Sequence, residues 1–209
     1  YSLGGNVRTK PALGPTGMVY LGSDGDKFFA LNPADRKQDF DAPGSRPFPQ
    51  ATEWAYSTAG PENIKSSAVV NDNHTPDDIS DDTIYVGTDD DSINAFNQQD
   101  RAADLSANDG TFPTAREWRF DTGGNAQAGP AIGADGTIYV GADCCDFWAF
   151  NHSDRAADLS ADDGTFPTAN EWEYPPGGQV IDDVRGAPVV DLKRFTGKPE
   201  HVINYFFFI

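Results

Sequence analysis

The stretch GSDGDKFFALN (22–32) returns as GTDDDSINAFN (87–97) and again as GADCCDFWAFN (141–151). In all three, a glycine stands eight residues before an alanine: Gly22 and Ala30, Gly87 and Ala95, Gly141 and Ala149. Equal spacing in three copies restricts the chain to architectures that repeat one supersecondary unit. A second anchor gives the period. An aromatic followed by a glycine-containing turn recurs as YSLGGN (1–6), YSTAGP (56–61), FDTGGN (120–125) and YPPGGQ (174–179), at steps of 55, 64 and 54 residues. The chain therefore divides into repeats 1–55, 56–119 and 120–173, with an incomplete repeat at 174–209.

Each repeat carries short runs rich in Val, Ile, Tyr, Phe and Trp, bounded by Gly, Asp and Asn, which read as four β-strands joined by hairpins. Strand a is Glu-Trp-x-Tyr/Phe, and strand b is PAL, AVV, PAI or PVV. Strand c is VYLG or IYVG, and strand d is KFFAL, SINAF or DFWAF. No helical periodicity competes. Four-stranded antiparallel units repeating about every 55 residues predict an all-β chain and a β-propeller, in which each sheet buries its faces against its neighbours. About three and a half such blades fit into 1–209, whereas propellers close with about four to eight. A single partial propeller is thus expected, completed by a protein partner, further chain or a second copy. Both ends support that expectation. The chain starts at the aromatic of strand a without the Trp that precedes it elsewhere, and HVINYFFFI (201–209) falls where strand c belongs, with no strand d after it. An unpaired apolar edge of that kind aggregates unless covered.

Charge narrows the partners. With 15 Lys plus Arg against 33 Asp plus Glu, the formal charge is −18, which repels nucleic acid phosphates and anionic lipid heads. No apolar run reaches the roughly 18 residues that a membrane-spanning helix needs, so no transmembrane segment is expected. The sequence opens at Tyr1 without Met, a basic stretch or an apolar stretch, so a secretion signal is expected to be cleaved or to lie outside it.

Strand c as Gly-x-Val/Ile-Tyr-Val/Leu-Gly-Ser/Thr-Asp, a turn, Ala-Leu/Phe-Asn, and a Trp opening the next strand a resembles the repeat of the quinoprotein (PQQ-dependent) alcohol dehydrogenase superfamily of β-propellers. The resemblance covers nearly the whole chain. In that family strand d runs into Ala-x-Asp-x-x-Thr-Gly; here Asn32, Asn97 and Asn151 take the Asp place, and Asp35-Arg36, Asp100-Arg101 and Asp154-Arg155 replace Thr-Gly. The resemblance is specific for fold and not for function, because such propellers serve as dehydrogenases, outer-membrane assembly lipoproteins and non-enzymatic secreted proteins. It implies a docking role for Trp54, Trp118 and Trp172, one per repeat, each burying ~150–250 Å² between blades. Tyr20, Tyr85 and Tyr139 of strand c read as sheet-face packing.

A loop inserted between strands d and a departs from the family pattern. Its second and third copies run NQQDRAADLSANDGTFPTAREW (97–118) and NHSDRAADLSADDGTFPTANEW (151–172). Asp104, Ser106, Asn108 and Asp109, then Gly110, and likewise Asp158, Ser160, Asp162 and Asp163, then Gly164, set oxygen side chains close together before a glycine, a pattern able to wrap calcium. The spacing departs from an EF-hand, which places Gly at position six and Glu at twelve. The alternative is a loop of Asx-turns capped by its own backbone.

Cys144 and Cys145, the only cysteines, fill turn positions held by Gly25-Asp26 and Asp90-Asp91 in the sister copies. Quinoprotein dehydrogenases carry a vicinal disulfide near their cofactor, so the resemblance raises that pairing here. Adjacent Cα atoms lie ~3.8 Å apart, below the usual ~4.4–6.8 Å of a disulfide, so free thiols and pairing with another chain stand beside it. The aromatic floor, Asp base and cationic partner of a quinone site are not recognisable, and no phosphate loop, nucleophile elbow, haem motif or zinc helix occurs. His74, His152 and His201 stand singly. The expected function is a non-catalytic, extracytoplasmic (periplasmic or secreted) propeller acting as a protein-binding or scaffold module, with no catalytic residue assigned. A fragment of a PQQ- and calcium-dependent alcohol dehydrogenase is the first alternative, and an outer-membrane assembly factor-like propeller the second.

Overall fold

The computed structural model of the 209-residue chain describes residues 4–15, 17–31, 52–57, 63–72, 74–75, 82–97, 116–134, 136–143, 147–150, 170–174 and 186–188. Among these the secondary structure is entirely β, in twelve strands. The first sheet comprises β1 (Ala12–Leu13), β2 (Val19–Ser23), β3 (Lys27–Leu31) and β4 (Thr52–Ser57). The second comprises β5 (Val69–Asn71), β6 (Thr83–Thr88), β7 (Ser92–Asn97) and β8 (Arg116–Asp121). The third comprises β9 (Ala131–Ile132), β10 (Ile138–Gly141), β11 (Phe147–Phe150) and β12 (Asn170–Tyr174). Each is an antiparallel meander in chain order.

Strand a therefore pairs with the strand d that precedes it: Ala30 faces Trp54, Ala95 faces Trp118 and Ala149 faces Trp172. The repeat boundaries read from the sequence fall within these last strands, and the paired unit in space runs b, c, d and the following a. Immediately beyond each alanine the register slips. Leu31 faces Thr52, Phe96 faces Arg116 and Phe150 faces Asn170, so Glu53, Glu117 and Glu171 are the extra residues of three equivalent β-bulges. A bulge bends its strand and increases local twist.

Strand b is short for a local reason. Pro11 and Pro130 precede β1 and β9 and lack the N–H a ladder requires. Beyond the strand a tight turn begins: the Gly14 amide donates to the Met18 carbonyl at 2.9 Å, and the Gly133 amide to that of Thr137 at 2.8 Å.

Alternation along the strands decides how the sheets stack. Ile84 and Val86 of β6 and Phe96 of β7 join Met18, Tyr20, Phe28 and Ala30 of the first sheet in one apolar cluster. Tyr85, Ile93 and Ala95, one residue out of phase, join Ile138, Val140, Trp148 and Phe150 of the third sheet in another. The second sheet is thus buried on both faces, and every residue of β6 is buried. Rings lock both interfaces. Phe28 stacks on Phe96 at 5.6 Å between centroids, and Phe120 meets Phe150 edge-on at 5.0 Å and Trp148 at 5.7 Å. Strand b of each sheet lies beside strand b of the next, β1 by β5 and β5 by β9. Among the described residues no helix is long and apolar enough to cross a membrane.

Candidate functional site

The segment that leads into each strand b is itself repeated: Asn6-Val-Arg-Thr, Asn63-Ile-Lys-Ser and Asn125-Ala-Gln-Ala. Its backbone joins two sheets. The Asn carbonyl accepts from the c–d turn of its own sheet, as Asp24 N–H to Asn6 at 2.9 Å, Asp89 N–H to Asn63 at 3.1 Å and Asp143 N–H to Asn125 at 2.8 Å. The next amide donates to the preceding sheet, Ile64 to the Ser23 carbonyl at 3.2 Å and Ala126 to the Thr88 carbonyl at 3.1 Å. Side chains follow the same rule. Ile64 lies over Gly22 and Ala126 over Gly87, so close that a Cβ on Gly22 would stand 2.9 Å from the Ile64 carbonyl oxygen, and one on Gly87 would stand 2.9 Å from Ala126 Cβ. Gly22 and Gly87, two of the three glycines whose spacing defines the repeat, are the seats on which the next sheet rests.

The hydroxyl two residues on fastens this segment inside its own sheet. Thr9 Oγ1 accepts from the Gly22 amide at 3.2 Å, and Ser66 Oγ from the Gly87 amide at 3.2 Å. The intervening cation pairs with the first Asp of the turn: Arg8 with Asp24 at 2.6 Å and Lys65 with Asp89 at 2.7 Å. The Arg8 hydrogen bond holds the Asp24 carboxyl below the ordinary carboxylate range, assisted by its charge and by Asn6 and Lys65 and opposed by partial desolvation; the same bond raises the Arg8 guanidinium.

The most polar junction is the turn from β6 to β7. Thr88 and Ser92 hydroxyls both donate to Asp90 Oδ1, and their own oxygens lie 2.9 Å apart. Buried Asn94 donates to Ser92 Oγ at 3.1 Å, and Arg119 donates to the Asp90 carbonyl at 2.9 Å with its guanidinium 3.7 Å from Oδ2. In the amide orientation that satisfies both sides, Asn125 of the third sheet's leading segment donates to the Asp89 carbonyl at 2.7 Å and to Asp91 Oδ1 at 3.2 Å. This network fixes the turn and ties it to the neighbouring sheet.

The calcium candidates Asp104, Ser106, Asn108, Asp109, Asp158, Ser160, Asp162 and Asp163 lie outside the described residues, as do Cys144 and Cys145. Among the described residues no three of His, Cys, Asp and Glu gather as a metal site, so no step is assigned through calcium or a quinone. Trp54, Trp118 and Trp172 occupy one register position in three sheets; of their side chains nothing is described. Tyr20 and Tyr85 are buried between sheets, and Tyr139 stacks on Phe147 at 6.2 Å. His74 sits in an Asx-turn, its amide donating to Asp72 Oδ1 at 3.1 Å. Sequence reasoning missed Trp148, the buried indole at the junction of second and third sheets, because it stands where the sister copies hold Phe29 and Asn94. The seat left only an indirect sign in the sequence: Gly22, Gly87 and Gly141 hold one register position late in β2, β6 and β10, where β-propensity alone favours a larger residue. The chain matches no protein-family model, and no curated protein matches it.

Proposed function

We propose that these stacked sheets are blades of a quinoprotein-like β-propeller that acts outside the cytoplasm as a non-catalytic protein-binding or scaffold module. One observation carries the reading. The first sheet meets the second, and the second the third, through equivalent faces, equivalent backbone bonds and equivalent glycine seats. Repetition of one contact in one sense is what arranges sheets around an axis, and β1, β5 and β9 lie side by side as inner strands do. Binding follows from the surface such an arrangement offers, an acidic rim of c–d turns carrying Asp24, Asp89, Asp90 and Asp91, with Arg8, Lys65 and Arg119 paired to Asp24, Asp89 and Asp90. A basic protein surface complements it.

The adjacent Cys144 and Cys145 favour a second reading, a fragment of a PQQ- and calcium-dependent alcohol dehydrogenase. Dye-linked oxidation of primary alcohols by the full chain, reconstituted with PQQ and Ca²⁺, separates the two. Rates at the level of cofactor alone are expected. Oxidation that requires chain, PQQ and Ca²⁺ together replaces the scaffold reading with the enzymatic one, and co-purification with a β-barrel assembly complex would assign the module to outer-membrane assembly.

A further inference from the structure

The place held by a cation in the first two leading segments is neutral in the third, where Gln127 stands as the equivalent of Arg8 and Lys65. The backbone fixes where each of them lies. Because the Ile64 amide bonds the Ser23 carbonyl and the Asp89 amide the Asn63 carbonyl, Lys65 lies between the c–d turns of the first and second sheets. Its ammonium pairs with Asp89 at 2.7 Å. The Asp24 carboxyl, held low first by its Arg8 hydrogen bond, feels the Lys65 charge as well. The first joint thus alternates in sign through Asp24, Lys65 and Asp89. Bonds of the same kind, from Ala126 to the Thr88 carbonyl and from Asp143 to the Asn125 carbonyl, put Gln127 between the turns of the second and third sheets. The second joint runs Asp89, Gln127, Asp143, which leaves an uncharged residue between two aspartates.

More negative charge gathers on the same turn. Asp90 and Asp91 follow Asp89, Asp121 stands next to them through its pairing with Ser92, and the Thr122 amide holds the end of β8 to the Asp91 carbonyl at 2.7 Å. Among the described residues the cations paired with this turn are Lys65 and Arg119. Asp91 and Asp121 are exposed, where dissolved ions reach them. Repulsion between such charges depends on the screening length, which falls from about 30 Å at 0.01 M salt to about 3 Å at 1 M. We infer that the joint between the second and third sheets is sensitive to ionic strength: dissolved cations do there what Lys65 does at the first joint, and the rim of the third sheet loosens from the second as salt is withdrawn. The apolar cluster of Tyr85, Ile93, Trp148 and Phe150 holds the two sheets together below the rim, so loosening starts at the Ala126 amide. The inference goes beyond the scaffold reading and holds whether or not the chain binds a partner.

A formal charge of −18 makes the whole chain respond to salt, so the test compares the two joints within one molecule. Amide exchange is followed at Ile64 and Ala126 in the full chain, at one pH, in KCl of about 0.01 M and about 0.5 M. Lowering the salt is expected to speed exchange about 10-fold or more at Ala126 and less than about 2-fold at Ile64. Gln127→Lys is expected to bring Ala126 to the behaviour of Ile64, and Lys65→Gln to give Ile64 the salt response of Ala126. Gln127→Met, which lengthens the apolar stem without a charge, is expected to leave the response in place. Choline chloride is expected to act as KCl does, since screening needs no coordination; a response to KCl alone overturns screening in favour of a bound ion. Equal responses at both amides assign the effect to overall charge and overturn the inference, as does no response at either. Should the variants fail to fold, the comparison of Ile64 with Ala126 in the native chain decides.

Discussion

Ile64 and Val7 occupy the same place in the repeat and differ in burial, so they separate the worth of a joint from the worth of a residue. Removing three carbons from a fully buried isoleucine leaves a cavity against Gly22, and Ile64→Ala is expected to cost about 2–5 kcal/mol, whereas Val7→Ala is expected to stay within about 0.5 kcal/mol; urea denaturation of the two variants checks both. Gly87→Ala acts from the other side of a joint. The added methyl meets the backbone of Ala126, which cannot swing aside as a flexible side chain does, and a loss of about 1–3 kcal/mol or more is expected. Asp24 gives the pH dependence. Its folded pKa is depressed, first by the Arg8 hydrogen bond, so the unfolded chain binds the extra proton. The stabilisation is complete above the unfolded value of about 3.9 and is lost as pH falls through the lower folded value. Between pH 5 and pH 3 the urea midpoint of the native chain is expected to fall further than that of Arg8→Gln; parallel curves would remove Asp24 from the account. Under the extracytoplasmic reading Cys144 and Cys145 are expected to resist alkylation until reductant is added, because oxidising compartments preserve disulfides. Immediate labelling of both contradicts it.

At the scale of elements, strands c and d and the Glu-Trp strand were legible because hydrophobic runs between turn residues report strands directly, and the eight-residue step from glycine to alanine fixed the hairpin between c and d. Pairing was less legible. Nothing in the composition of Glu-Trp-Ala-Tyr says whether it closes the sheet before it or opens the one after it, since both choices satisfy the same alternation. The bulges were hidden for a related reason. Alternation read from the sequence assumes one residue opposite one, and Glu53, Glu117 and Glu171 each break that rule. Deleting Glu117 is expected to leave Trp118 opposite Ala95 and Arg116 opposite Phe96 with no extra residue between them, to remove the local bend of β8 and to destabilise the second sheet; unchanged stability would show the bulge to be dispensable. The calcium loops were the part of the candidate site most dependent on spacing alone. Calorimetry decides them: heats that vanish in Asp104→Ala and Asp158→Ala are expected if the loops bind calcium, and a flat titration leaves the Asx-turn reading.

For the whole molecule the consequence of repetition is that one joint, made twice, sets the relation of three sheets. What the sequence could not reveal is that Gly22 and Gly87 serve the next sheet and not their own, because a missing side chain is legible only beside the group that fills its space. Nuclear Overhauser contacts of the 209-residue chain test that relation directly. Contacts from the Gly22 Hα protons to the Ile64 methyls, and from the Gly87 Hα protons to the Ala126 methyl, are expected alongside the ordinary cross-strand contacts of Tyr85 with Ala95. If the cross-strand contacts appear and both glycine contacts are missing, the sheets form without stacking in this way, and the propeller reading fails with them.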